Sequence, residues 1–242
     1  MEQTASWRRN SKVIIIVKPL QNFYTLNSKY LLALHSCSES FSIGLKDIEN
    51  PESLAKWEVF NIGRSLSNKL FNCIEKILPR KSWKQINRIA VAKGPGSFTS
   101  TRLTISMART IAQQIDCPLD SMSSFHLMAP RLYKNLDKNS INNPFWIKDI
   151  LPRRGFVAGK YKLIKVHQES NFHEFSELIS PHLIINEKEI YPSINVSKNM
   201  EKDIISLMNF SQHCHNLKVN SHWRATLPIY PTSPVDNKNN NL

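Results

Sequence analysis

Ten residues, Lys93-Gly94-Pro95-Gly96-Ser97-Phe98-Thr99-Ser100-Thr101-Arg102, combine two glycines, a proline, four small hydroxyl side chains and a cation. An apolar run, Ile89-Ala90-Val91-Ala92, precedes them and a helical pattern follows. Glycine-rich turns between a strand and a helix often hold phosphate, because bare backbone N–H groups and the helix dipole face the anion. The spacing here fits neither GxxxxGK[ST] nor GxGxxG, and no Walker-type lysine follows the second glycine. The residue types therefore favour a rigid strand-to-helix turn, with Thr99 or Ser100 as helix cap. A second cluster, His213-Cys214-His215 with His222, has metal-ligand chemistry. Adjacent residues seldom converge on one ion, no second pair backs them, and Cys37, Cys73, Cys117 and Cys214 form no CxxC. Zinc and a disulfide framework are both disfavoured, and no metal or cofactor is expected. A third cluster is basic: Lys148, Arg153, Arg154, Lys160, Lys162 and Lys165, opposed within that stretch only by Asp149. It reads as a solvated hairpin face or as an RNA contact through Arg153 and Arg154, and the net charge of +13 suits a polyanion partner.

These residues need elements to hold them. YLLAL (30–34) reads as a buried strand, Phe41, Ile43 and Leu45 as alternate positions of a half-buried one, and 57–60 as a third. The pattern predicts a helix over 65–78, stopped by Pro79. Its apolar residues fall into two stripes, 66/70/73/77 and 71/74/78. One stripe covers a sheet, and a second leaves apolar surface for another contact or widens the core face. Residues 88–92 form a strand, and a helix follows over 100–115. That helix carries Leu103, Met107, Ile111 and Ile115 on one stripe, and small Thr104, Ala108 and Ala112 on another. Small residues four apart let a second backbone come close. Another strand begins at 117–119, and Ser123 or Ser124 caps a short helix ending before Pro130. Three strands, then helix, strand, helix, strand, helix, gives an α/β mixed sheet flanked by helices.

The chain of 242 residues, 41% hydrophobic, suits one domain or two small lobes. The reading divides it into a leader (1–28), a first lobe (29–133), a polar linker (134–144), a second lobe (145–235) opening on its own meander with a helix over 198–209, and a disordered tail (236–242). Two lobes that both open on a meander suggest a duplicated unit. The apolar stretch Val13–Val17 is too short for a membrane span, and no small-residue cleavage site follows it. A cytoplasmic protein is expected.

The block Ala90-Val91-Ala92-Lys93-Gly94-Pro95-Gly96-Ser97-Phe98-Thr99, with Arg102, resembles the signature of the TsaB family, also called YeaZ. Leu32-Ala33-Leu34-His35-Ser36-Cys37-Ser38-Glu39 sits where that family opens on an apolar strand and Asp-Thr-Ser. Ser67-Asn68-Lys69-Leu70, Pro118 to Phe125, Arg153-Arg154-Gly155-Phe156-Val157 and Leu227-Pro228-Ile229-Tyr230 resemble later family motifs. The resemblance covers about residues 30 to 235. It implies an actin-like, hexokinase-like ATPase fold of two RNase H-like lobes. It also implies a dimerisation subunit, without catalysis of its own, in making tRNA threonylcarbamoyladenosine at position 37 of ANN-decoding tRNAs. Such a subunit binds a TsaD-type catalytic subunit, with a TsaE-type ATPase joining and tRNA bound through the complex; a homodimer is an alternative. The implied docking face is built by the first two helices: Leu66, Leu70, Cys73, Ile74 and Ile77 from one, Thr104, Ala108, Ile111 and Ala112 from the other.

The sequence also departs from the family. Active superfamily members end the first strand on an aspartate that serves metal and phosphate; here that residue is His35. An imidazole does not replace a carboxylate for Mg²⁺, which wants oxygen. Ser100, Thr101 and Thr104 stand where Gly, Leu and Gly are usual, and Leu151-Pro152 where Asp-Ala is common. The alternatives are thus a degenerate paralogue acting as a basic RNA-binding protein, or a stand-alone ATP-using enzyme of the same fold. A glycoprotease, the older superfamily label, lacks its metal pair: none of His126, His167, His173, His182, His213, His215 or His222 has a histidine four residues on.

Overall fold

A computed structural model describes residues 28–50, 53–136, 143–167 and 172–232. The leader up to residue 27, residues 137–142 of the linker and the tail expected over 236–242 lie outside the described residues.

The first lobe follows the order read from the sequence. Strands β1 (Tyr30–His35), β2 (Phe41–Asp47) and β3 (Lys56–Phe60) form an antiparallel meander. Helix α1 (Leu66–Ile77), strand β4 (Ile86–Ala92), helix α2 (Phe98–Ile115), strand β5 (Leu119–Met122) and helix α3 (Ser124–Leu132) follow. The sheet order is β3-β2-β1-β4-β5, with β1, β4 and β5 parallel. A sheet five strands wide needs two helices to cover one face, and α1 and α2 do this together around Leu34, Ile43, Ile89 and Leu119.

The second lobe repeats part of that plan. Strands β6 (Phe145–Leu151), β7 (Gly155–His167) and β8 (Phe172–Ile184) form the second meander, and β9 (Ser193–Asn195) runs parallel to β6. The order β8-β7-β6-β9 matches β3-β2-β1-β4 position by position. The two sheets and their helices make an actin-like ATPase fold of two lobes. The long β8 strand is not among the elements expected from the sequence.

Four local expectations are corrected. Helix α4 (Met200–Asn216) is longer than expected, and it packs on β1, β2 and β4 of the first sheet rather than in the second lobe. It supplies Ile204, Leu207 and Met208 to that sheet's other face. For this reason β2 is buried on both faces and not half-buried. Gly44 makes the approach feasible, since a Cβ there would lie 2.6 Å from Met208 Sδ. Helix α2 begins two residues early, at Phe98, with Ser97 as N-cap and no side-chain cap bond. Helix α3 runs through Pro130 to Leu132, because Ala129 and Leu132 are buried with Phe145 and Phe175 of the second lobe. Its cap is Ser123, whose Oγ accepts the His126 N–H at 3.1 Å.

Among the described residues no helix is long and apolar enough to cross a membrane.

Candidate functional site

The glycine-proline loop is held on every side by its own chain. Lys93 N donates to Met122 O at 2.9 Å, and Lys93 O accepts from Ile229 N at 2.7 Å. Gly94 sits at φ +94 and its carbonyl accepts from Ser124 N at 2.7 Å. Pro95 O accepts from Ser124 Oγ at 2.6 Å. Gly96 lies against the turn after β1: a Cβ there would stand 2.1 Å from Cys37 O. Ser97 N donates to that same carbonyl. The loop thus ties β4, α2, α3, the β1–β2 turn and the C-terminal segment together. Beyond it, Phe98 packs on Tyr230 with ring centroids 4.9 Å apart, and the Arg102 guanidinium stands 5.0 Å from the Phe98 centroid. Thr99 and Arg102 face outward.

The departures from the family pattern form a compensating set. Ser36 Oγ donates to Thr104 Oγ1 at 2.8 Å, a buried contact, and is 3.1 Å from Ser100 O. Thr101 and Thr104 are both buried against the β1–β2 turn that carries Ser36 and Cys37. These hydroxyl side chains on α2 are thus accommodated by packing against that turn and by a hydroxyl pair.

A cleft of about 360 Å³ lies between the lobes, with His35 and Asp203 on its floor. Asp203 comes from the first turn of α4, where Asn199 caps the helix. Its Oδ1 accepts from Arg131 Nη2 at 2.8 Å and Nε at 3.3 Å. His35 Nδ1 accepts from Cys37 N at 3.2 Å, and His35 Nε2 stands 3.9 Å from Asp203 Oδ2. Burial works against charging this ring, while Cys37 and the Asp203 carboxylate favour it; the balance lies upward, to about 9. Charging displaces the Cys37 N–H from Nδ1 and leaves the Nε2–H in place. With an imidazole at the end of β1 and a carboxylate already gripped by arginine, these residues do not fit a nucleotide carried on Mg²⁺.

The helix residues proposed for docking are elsewhere than expected. Leu66, Leu70, Cys73 and Ile74 of α1, and Thr104, Ala108, Ile111 and Ala112 of α2, are all buried in the chain, with only Ile77 partly open. Most of both apolar stripes of α1 serves the first sheet and its neighbours, and of the second stripe only Phe71 is left outward. The outward faces carry other residues: Lys69, Phe71 and Asn72 on α1, and Arg102 and Ser106 on α2, with Leu103 partly buried against the core beside them. Phe71 is 48% exposed and stacks on Trp83, centroids 6.2 Å apart. Phe71 and Leu103 stood on the sequence-predicted stripes but outside the candidate set; their position at the edge of each stripe was the available signal.

Arg153 and Arg154 sit exposed at the β6–β7 turn, Arg153 in the left-handed region at φ +66. The rest of the basic cluster is partly engaged: Lys148 Nζ is 2.5 Å from Glu187 Oε1, and Lys160 Nζ stands 5.6 Å from the Trp146 ring centroid. In α4, Cys214 is buried while His213 and His215 diverge from it, each only partly covered.

A two-lobed chain with an actin-like ATPase fold, and with an imidazole at the end of its first strand, is the class that this fold and cleft define. The family model described as "TsaD: tRNA N6-adenosine threonylcarbamoyltransferase" matches residues 61–147. The tRNA threonylcarbamoyladenosine biosynthesis protein TsaB of Buchnera aphidicola subsp. Acyrthosiphon pisum is 22% identical over 144 residues, 55% of this chain and 63% of that protein. TsaB of Bacillus subtilis is 39% identical over 46 residues, 19% of this chain and 20% of that protein. The matched stretches thus span less than two thirds of those relatives' own lengths. In the solved structures, YeaZ from Pseudomonas aeruginosa has the same fold, with a TM-score of 0.61 at 17% identity over 84% of this chain and 99% of that one. The chain is a relative of the TsaB (YeaZ) proteins.

Proposed function

We propose that the chain is a non-catalytic scaffold subunit in the addition of the threonylcarbamoyl group to adenosine 37 of ANN-decoding tRNAs. It acts by binding a TsaD-type catalytic subunit, with a TsaE-type ATPase and tRNA joining through the complex, and Arg153 and Arg154 at the tRNA side. The observation that carries this reading is the loop that resembles the TsaB signature, tied by bonds to β5, α3, the β1–β2 turn and the C-terminal segment of this chain. His35 supports the absence of catalysis, since its imidazole offers no oxygen to a divalent cation. The docking face is the outward side of α1 and α2, centred on Phe71 with Leu103 at its edge. Leu70 and Ala108 act through it by holding the two helices on the sheet.

The test is two-part. Depletion of the protein should lower threonylcarbamoyladenosine in bulk tRNA, read by nucleoside mass spectrometry, and the wild-type chain should restore it. Co-purification with a TsaD-type subunit should be lost in the doubly substituted Phe71→Asp, Leu103→Asp chain while its circular dichroism is unchanged. An unchanged modification level with the protein gone would remove the reading.

A further inference from the structure

Residues 76–115 and 204–235 contain no aspartate or glutamate. Helix α2 closes the first stretch, and the fold lays part of the second beside it. Segment 221–230 is anchored at both ends, by Leu119 N donating to Ser221 O at 2.9 Å and by Ile229 N donating to Lys93 O at 2.7 Å. Phe98, Arg102 and Arg109 share one face of α2 over about 16 Å. The segment sets an aromatic ring against each end of that face. Tyr230 meets Phe98, ring centroids 4.9 Å apart, with the Arg102 guanidinium 5.0 Å from the Phe98 centroid. Trp223 meets two guanidiniums, Arg109 at 5.6 Å and Arg224 at 5.2 Å from its centroid. Among the described residues no carboxylate pairs with any of these three arginines. We propose that α2 and segment 221–230 form a binding surface for a single-stranded stretch of nucleic acid, with phosphates on Arg102, Arg109 and Arg224 and unpaired bases on the rings of Phe98 and Tyr230.

The selectivity follows from the chemistry of the surface. A guanidinium over a ring is held by the cation–π contact while its N–H donors stay free, and with no carboxylate to take them they are open to phosphate oxygens. Three such cations along one face, on two acid-free segments, match the repeating charge of a nucleic-acid strand. The rings favour an unpaired strand over a duplex. Phe98 is 37% exposed and Tyr230 44%, so each keeps surface on which a base stacks, whereas a base inside a duplex has both faces taken by its neighbours. The surface is separate from the docking side of α1. In the sheet order β3-β2-β1-β4-β5, α1 lies over β2 and β3, α2 lies over β1, β4 and β5, and segment 221–230 adjoins the start of β5. It is separate too from the Arg153–Arg154 turn, and it stands whether or not the scaffold reading does, because no partner subunit is needed.

The test is fluorescence anisotropy of a labelled oligouridylate of about 12 nucleotides, titrated with the full chain at several salt concentrations. Arg102→Gln, Arg109→Gln and Arg224→Gln together should weaken binding at least tenfold. They should also lower the slope of log Kd against log salt by about 2, from three phosphates at about 0.7 each. Tyr230→Ala should weaken binding about fivefold with the slope unchanged, and Tyr230→Phe should restore it. Circular dichroism checks the fold; if the triple variant unfolds, the exposed Arg224→Gln alone carries the test, with a slope change of about 0.7. An oligothymidylate of the same length separates the two sources: a tenfold preference assigns the surface to RNA or to DNA, and equal binding to both marks a surface that reads phosphate and base face alone. A duplex of that length bound as tightly as the single strand would overturn the proposal. So would an unchanged Kd and slope in the folded arginine variants, with the loss falling on Arg153→Gln, Arg154→Gln instead.

Discussion

Arg88 and Asp120 face each other from neighbouring parallel strands, Nε to Oδ2 at 2.6 Å, with side chains 3% and 0% exposed. Asp120 also accepts from Ser211 Oγ of α4 at 2.5 Å and from Ser221 Oγ at 2.6 Å. Arg88 additionally bonds the carbonyl of Val219. This ion pair fastens the end of α4 and the segment after it to the first sheet, which is how a helix from beyond the second lobe is kept on the first.

Arg88→Met should therefore cost about 3–5 kcal/mol, since it leaves a buried carboxylate without its cation. The midpoint of urea unfolding reads this directly. A loss under 1 kcal/mol would mean that Ser211 and Ser221 suffice to hold Asp120.

Gly96→Ala and Gly63→Ala should separate close approach from backbone conformation. A Cβ on Gly96 would sit 2.1 Å from backbone Cys37 O and 2.6 Å from Cys37 Cα, neither of which swings aside. The expected loss is about 3 kcal/mol, at the upper end for overpacking. Gly63, at φ +46 with nothing within 4 Å, should lose only about 1–2 kcal/mol for the left-handed conformation. Equal losses at the two positions would show that the loop yields.

Two histidines, one buried and one partly buried, should contribute to stability at opposite ends of the pH range. Burial pushes His126 down, with Glu177 opposing. Its neutral ring favours the fold at pH above the ordinary 6.5, and that contribution is lost as pH falls below 6.5 through its folded value. His35 is raised to about 9, so its contribution is complete below 6.5 and lost as pH rises from there through about 9. Urea midpoints measured across this range should fall on both sides. His126→Phe should flatten the acid limb and leave the alkaline one; an unaltered acid limb would reject the assignment.

Leu70→Asp and Ala108→Arg should unfold the chain rather than cleanly release a partner, because Leu70 is 2% exposed and Ala108 is fully buried. Phe71→Asp should leave the midpoint within about 0.5 kcal/mol, as expected for an open position. Circular dichroism melting of the three variants compares them in one experiment. A stable Ala108→Arg chain would return α2's small stripe to the docking face.

Much of the first lobe was legible in the sequence. The alternation at Phe41, Ile43 and Leu45, the stripes of α1 and α2, and the Gly-Pro-Gly turn between β4 and α2 are local patterns, set by side-chain period and by residues with restricted or permissive backbones. The resemblance to the TsaB proteins was likewise carried by short local blocks. What the periodicity left open was which apolar residues face inward. Leu66, Leu70, Cys73 and Ile74 lie on one side of α1, and a stripe facing a sheet and a stripe facing a partner have the same spacing.

Only the tertiary structure decided the remainder. Nothing local distinguishes an α4 that covers the second sheet from one that crosses back to the first; Gly44 beneath Met208 and the Arg88–Asp120 pair settle it, from residues far apart in the chain. The same crossing brings Asp203 to His35 across 168 positions of sequence. The sequence by itself determined the order of strands and helices in the first lobe and its Gly-Pro-Gly turn, because those follow from neighbours along the chain. The cleft floor and the hidden face of each helix depend on packing between distant elements, and burial there is a property of the whole fold.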